Sequence, residues 1–317
     1  MRSKQNPRSK KAQRARQFRT MICLACACVI LAGALYTAAW IQNRNRIEKE
    51  AQLYQQMYAP ASDETTSPPS IPPATPSVEP VSTPDVLPEV NDLPIPTPDA
   101  DTQILTLPSA PPAQDSFDEL LAYNPDTVGY LQIDDFVSLP VVQRENDNEY
   151  YLTHNFSGTE SPEGALFLDG LNRLVPEDDC LIVYGHNMQN GTMFGDLKLY
   201  LDLSYFRSCP LVHFDTLYEN RLYAPFAAFS ASVDPGDASY FDVRQFIFDP
   251  DSFDHFVLSL RSRSYCDVPL DVQYGDRLLL LVTCDSSHAD GRMTLALRAL
   301  RDGENAEDVA ALVAQAG

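Results

Sequence analysis

An uncharged stretch of 21 residues, MICLACACVILAGALYTAAWI at positions 21–41, constrains this chain more than any other feature. At ~1.5 Å rise per residue, a helix of that length crosses the ~30 Å hydrocarbon layer of a bilayer. Tyr36 and Trp40 near its far end suit the membrane interface. Eight Lys or Arg residues precede it, and Arg44, Arg46 and Lys49 follow closely. The positive-inside bias therefore places residues 1–20 in the cytoplasm as a basic tail and everything beyond residue 41 outside the cell. The competing reading is a cleaved signal peptide, with small residues between Ala34 and Ala39 at the cut. Signal h-regions usually run ~7–15 residues, and this one is longer. The expectation is an uncleaved, single-pass signal-anchor in the cell membrane.

Charge is divided just as sharply. The chain carries a formal net charge of −21, yet its first fifty residues hold 11 basic residues and two acids. That leaves 12 basic against 42 acidic residues downstream, a net charge of −30. Phosphate contacts need clustered Lys and Arg, so nucleic acid is excluded as a partner of the main domain. Fifteen of the 25 prolines fall between Pro60 and Pro112. A stretch of that kind buries little, and residues 42–113 read as an extended Pro-rich spacer.

From residue 114 to 301 the pattern is that of a packed domain. Phe117, Leu120 and Leu121 stand at helical spacing, with Asp115 or Ser116 as N-cap. Short apolar runs follow, among them GALFLD, CLIVYG, RLYAPFAAFS and RLLLLVTC, separated by turn residues. These predict a mainly β domain, an antiparallel barrel or sandwich. One long helix interrupts them, with Phe253, Phe256, Val257 and Leu260 as its apolar stripe and Asp249 or Asp251 as cap. Residues 302–317 read as a frayed Ala-rich tail.

Four cysteines lie outside the apolar segment: Cys180, Cys209, Cys266 and Cys284. In an oxidising compartment they could form two disulfides, and their wide separation lacks the spacing of a metal site. Cys284 stands apart because it ends a buried run, after Thr283, where the chain turns polar. A thiol there is fixed yet reachable, as a nucleophile must be, although a packed or bridged cysteine is the blander reading. Of five histidines, His186 also ends a buried strand, with Gly185 beside it giving backbone freedom. Arg292 follows Cys284 by eight residues and offers a permanent charge with directional donors for an oxyanion.

Three ordered blocks then converge: VVQRENDNEYYLTHNF, YGHNMQNGTMFGDLKLY and LLVTCDSSHADGR. Together they resemble sortases, class B in particular, over roughly residues 117–300. One departure is Leu280, where the family's TLxTC motif has Thr. The resemblance implies a sortase-type closed β-barrel with N-terminal helices and a long helix before the cysteine-bearing strand. It implies a cysteine transpeptidase without a metal or other cofactor, in which Cys284, His186 and Arg292 are catalytic. It also implies a peptide groove touched by Asn148, Leu152, Thr283, Asp285, Tyr240 and Phe241. The implied partners are secreted proteins bearing a sorting signal, cut after Thr, and an amino group of a peptidoglycan precursor. A sortase-fold hydrolase, a pilin polymerase and a catalytically silent wall-binding module are the alternatives.

Overall fold

Eight strands close into one barrel in the computed structural model, which describes residues 7–58, 110–284 and 291–317. In chain order the elements are α1 (Pro7–Met57), α2 (Asp118–Tyr123), β1 (Thr127–Ile133), β2 (Val137–Val142), α3 (Tyr150–Thr153), β3 (Leu166–Leu168) and β4 (Cys180–His186). There follow α4 (Leu203–Ser208), β5 (Val212–Thr216), β6 (Leu222–Ala231), α5 (Pro250–Arg263), β7 (Leu278–Cys284), β8 (Arg292–Ala299) and α6 (Ala306–Val313). Around the barrel the order is β1-β2-β3-β4-β7-β8-β6-β5. The mainly β architecture with a long helix before the cysteine strand is the one the sequence predicts, and its closure into a barrel is what the family resemblance implies.

The antiparallel expectation needs one correction. β2 pairs with β3, and β4 with β7, in parallel. Antiparallel neighbours announce themselves through short turns, whereas β4 and β7 are joined by a long crossover that no local signal marks. Their sequences carry a subtler sign. Both are unbroken apolar runs, LIVY and LLLLV, and their residues are buried without alternation, as strands covered on both faces are.

Helix ends follow their local chemistry. Asp249 caps α5 by accepting from Ser252 N (2.8 Å), and Ser252 returns a bond to the Asp249 backbone in a capping box, with Pro250 in the first turn. Neither Asp115 nor Ser116 caps α2, which instead continues from a 3-10 turn at Asp115–Phe117. The C-terminal tail is not frayed. Asn305 caps α6, Val309, Val313 and Ala316 are buried, and Gly317 exchanges two 2.8 Å backbone bonds with Asp267. An eight-residue helix is too short to stand on propensity, so this packing is what holds it.

The N-terminal helix brings the largest change to the domain boundaries. The apolar segment lies within α1, long enough to cross a bilayer, with exposed Val29, Ile30, Leu31 and Leu35. α1 then continues through positions read as spacer, and residues 42–58 dock on the barrel. Ile47, Tyr54 and Tyr58 are buried. The Tyr58 ring stacks on Tyr130 (4.2 Å between centroids) and meets Phe117 at 5.2 Å, while its hydroxyl donates to Asp215 Oδ2 (2.5 Å). Arg46 Nη2 donates to Glu163 Oε1 (3.0 Å). The spacing of Ile47, Tyr54 and Tyr58 puts them on one helix face, a stripe diluted in the sequence by the long apolar run before it. Residues 59–109 of the expected spacer lie outside the described residues.

This docking generates two expectations. Tyr58→Phe keeps the stacked ring but deprives the largely buried Asp215 of one donor, at a cost of about 1–3 kcal/mol. Urea unfolding of residues 42–317 should show a lower midpoint with an unchanged slope; parental stability would mean that the helix end is not docked. The second concerns pH. Burial pulls the Glu163 carboxyl upward, but hydrogen bonds from Ser161 and Asn43 and the Arg46 charge outweigh it, so its pKa sits below the usual 4.5. A lowered folded value contributes stability that is complete above pH 4.5 and lost as pH falls through it. Glu163→Gln should therefore flatten the acid limb of the stability curve relative to the parent. Asp215, pushed upward by burial, acts in the opposite sense in both proteins and cancels in that comparison.

Candidate active site

His186 and Cys284 end two strands that run side by side in the same direction. Their register advances without a slip from Cys180↔Leu278 through Gly185↔Thr283 to His186↔Cys284. The last residues of β4 and β7 are therefore cross-strand partners, on strands that lie ~4.8 Å apart. β7 also pairs with β8, antiparallel, from Leu278↔Arg298 to Val282↔Thr294. Two residues further along each strand, that register sets Arg292 against position 284. The Thr283 hydroxyl secures the approach by accepting from Met293 N (3.0 Å). Three strand ends thus bring Cys284, His186 and Arg292 to one rim. The Cys284 side chain and the whole of Asp285 lie outside the described residues.

The imidazole is held from the α3 side. His186 Nε2 lies 2.7 Å from the Leu152 carbonyl oxygen, and since a carbonyl can only accept, Nε2 carries the proton. Leu152 thus meets the site through its backbone, with its side chain half-buried. Gly164 makes room for this contact. At φ +59° it occupies the left-handed region, and a Cβ there would come within 2.3 Å of Tyr151 O, 3.0 Å of Leu152 O and 3.1 Å of His186 Cδ2. Gly185 serves differently from the sequence expectation: it supplies space rather than backbone freedom. A Cβ at Gly185 would lie 2.5 Å from Leu166 Cδ2 and 2.8 Å from the Phe194 ring.

Arg292 is half-buried, and its Nε is a buried donor with no hydrogen-bond partner among the described residues. Buried donors in native proteins are rarely left unpaired, which marks this one as waiting for an acceptor. The guanidinium lines a groove of about 210 Å³ together with Tyr184, Tyr240, Phe241, Arg244 and Thr294. Phe241 is fixed by Phe229 and Phe256 and by the Arg263 guanidinium 4.4 Å from its ring, while Tyr240 stays exposed. Asn148 lines a second depression, of about 360 Å³, with Asn146, Glu149, Gly170, Leu171 and Arg244. Its Oδ1 accepts from Gly170 N (2.6 Å). Arg244, which the sequence gave no reason to single out, borders both hollows.

Other candidates separate cleanly from this rim. Cys180, Cys209 and Cys266 are free and buried rather than bridged, and burial raises the pKa of each thiol. Cys209 is engaged by the Tyr200 hydroxyl. His154 stacks on Tyr150 and its Nδ1 meets the Tyr150 carbonyl, while His255 Nδ1 meets the Asp251 carbonyl. Arg298, near the other end of β8, is buried and paired with Glu304 through Nη1 (2.6 Å) and Nη2 (3.1 Å).

No family model matches the chain. Sortase B of Listeria monocytogenes is 29% identical over 185 residues, covering 57% of this chain and 73% of that protein. Sortase B of Staphylococcus aureus is 25% identical over 175 residues, covering 55% and 69%. The crystal structure of sortase B from B. anthracis in complex with AAEK1 superposes with a TM-score of 0.54 at 28% identity, over 60% of this chain and 86% of that one. In sequence and in fold the chain is similar to class B sortases. Its barrel is the sortase barrel, and the similarity supports a cysteine transpeptidase. Leu280, its departure from the family motif, is fully buried opposite Ile182 in the barrel wall, four residues before the strand end.

Gly164 offers a test of how tightly the imidazole is placed. Gly164→Ala should push the Leu152 carbonyl and the His186 ring apart, and a displacement of that kind can cost up to about a hundredfold in rate. Peptidase turnover should fall at least about tenfold while the circular dichroism spectrum is retained. Full activity would show that the Leu152–His186 contact is not needed.

Proposed function

We propose that this protein is a single-pass membrane sortase that cuts a C-terminal sorting signal after Thr and transfers the new carboxyl end to an amino group of a peptidoglycan precursor. The observation that carries the reading is the in-register pairing of His186 with Cys284, flanked by Arg292 with its unpaired donor. The Cys284 thiolate attacks the Thr carbonyl carbon, and Arg292 donates to the oxyanion that develops. The tetrahedral adduct collapses to a thioester as the imidazolium of His186 protonates the departing amine. The neutral imidazole then takes a proton from the acceptor amine, whose attack expels the thiolate and forms the new amide. Nδ1 exchanges this proton, because Nε2–H is engaged by the Leu152 carbonyl. Asn148, Leu152, Thr283, Asp285, Tyr240 and Phe241 contact the peptide.

Membrane attachment belongs to the same reading. The apolar part of α1 spans the bilayer with the N-terminus in the cytoplasm, and the barrel lies outside. Arg46, which holds Glu163, follows position 41 by five residues, or ~8 Å of helix. The rigid helix, rather than the Pro-rich segment, then sets the height of the catalytic rim above the lipid.

Four variants and one product analysis examine the chemistry. Cys284→Ala should abolish cleavage with about 1 kcal/mol lost in stability, while Cys180→Ala and Cys209→Ala retain turnover. Arg292→Lys keeps the charge but loses the planar fork, and should lower kcat by roughly a hundred- to a thousandfold, as removal of an oxyanion donor does. Turnover by Cys284→Ala, or a parental kcat for Arg292→Lys, would sink these roles. Products formed with a panel of primary amines should contain the amide; release of the free acid alone throughout would identify a hydrolase.

A further inference from the structure

Asp169 is a fully buried carboxylate at the corner between β3 and β4. It accepts from Leu171 N (3.0 Å) and the Tyr184 hydroxyl (3.1 Å), and from Arg244 through Nε (2.9 Å) and Nη2 (3.0 Å). The arginine comes from the segment between β6 and α5, 75 residues away, so the fork ties that segment to the barrel corner. Those hydrogen bonds, above all, raise the Arg244 pKa over its ordinary value. Although so firmly held, the side chain remains 43% exposed. Its Nη1 has no hydrogen-bond partner among the described residues.

Arg244 is also the residue shared by the two hollows beside the catalytic rim. One contains Arg292, Tyr240 and Phe241, and the other contains Asn148. A peptide that touches both sets of residues has to pass it. A bidentate ion pair fixes the plane of a guanidinium, so the remaining donors are directed before any ligand arrives and little side-chain entropy is lost on binding. A lysine at this position would carry the charge without that fixed geometry.

We propose that Arg244 is a substrate-binding residue, braced by Asp169, which donates to a carbonyl or carboxamide oxygen of the sorting peptide where it crosses between the hollows. This rests on the peptide-transfer reading above. It adds a contact that sets preference at one peptide position. A basic side chain at that position is disfavoured, because it would face a fixed cation.

The test uses the Cys284→Ala protein, so that affinity is read without chemistry. Fluorescently labelled Thr-containing peptides, scanned one position at a time, are bound and followed by anisotropy. Adding Arg244→Ala should weaken the preferred peptides by about ten- to a hundredfold, the worth of one charge-assisted hydrogen bond. It should also flatten the preference at one position and leave the others intact. Arg244→Lys should lose the preference for an oxygen acceptor, keep only the bias against basic side chains, and retain more of the folded stability, which guards against an Ala variant that unfolds. In proteins that retain Cys284, labelling of that thiol by iodoacetamide should proceed equally fast with and without the Arg244 change. Unchanged affinities and an unchanged profile in the Lys variant would overturn the proposal and leave Arg244 a structural brace. A Cys284→Ala protein that binds none of the peptides would overturn it together with the groove. Peptides that bind in an Arg244-dependent way but are not cleaved by the parent would support the contact and count against the transfer chemistry instead.

Discussion

Everything at the proposed catalytic rim depends on the parallel pairing of β4 with β7. Because the register is unbroken over seven residue pairs, the position of the imidazole relative to Cys284 is set by backbone hydrogen bonds rather than by a loop. A single-residue slip would move every side chain of one strand to the opposite face and bury the wrong set. The apolar runs on both strands therefore protect the catalytic geometry as well as the core. β8 adds the third member by the same device, since its antiparallel register with β7 decides where Arg292 arrives. Gly164 and Gly185 complete the arrangement by leaving space where any side chain would displace the ring, its carbonyl partner or its strand.

The strand ends were legible in the sequence because burial and chemistry change abruptly there: CLIVYGH and LLLLVTC each run from apolar to reactive in one step. The barrel class and the long helix were legible for similar reasons, through runs, turns and an apolar stripe. The parallel pairings were hidden, since they join segments far apart in the chain. The relation of Asn148 to Tyr240 and Phe241 came only through the family resemblance, and the structure sets them in neighbouring hollows that meet at Arg244. Arg244 carries no local signal at all; only the fold shows that its partner is Asp169. The tail was misread because alanine-rich composition conceals three small buried residues, Val309, Val313 and Ala316.

A common theme among these long-range contacts is a shielded carboxylate held by a cation or hydroxyl from elsewhere in the chain. Asp169 receives Arg244, Glu163 receives Arg46, and Asp215 receives the Tyr58 hydroxyl. In a chain with 42 acids and 12 basic residues beyond position 50, most carboxylates can remain solvated and keep the surface soluble. The few that are buried would be costly without partners, so each one fixes the segment that brings its donor. Two of the three fasten α1 to the barrel, and the third fastens the wall that carries Tyr240 and Phe241. Helix, barrel and groove wall are thus joined at points where breaking one contact leaves a buried charge exposed to its full desolvation cost.

The central claim is that Cys284, placed opposite His186 by strand register, forms the covalent bond to the peptide. Acid-quenched peptide mapping by mass spectrometry reads this directly. The purified protein is mixed with a cleavable Thr-containing peptide in the absence of amine, quenched within the first turnover, and digested. The account predicts a thioester adduct, with the mass of the peptide portion ending in Thr, on the fragment containing Cys284 and on no other, lost when a primary amine is added before quenching. Cleavage that proceeds with no adduct at Cys284, or with an adduct on Cys180, Cys209 or Cys266, would contradict it.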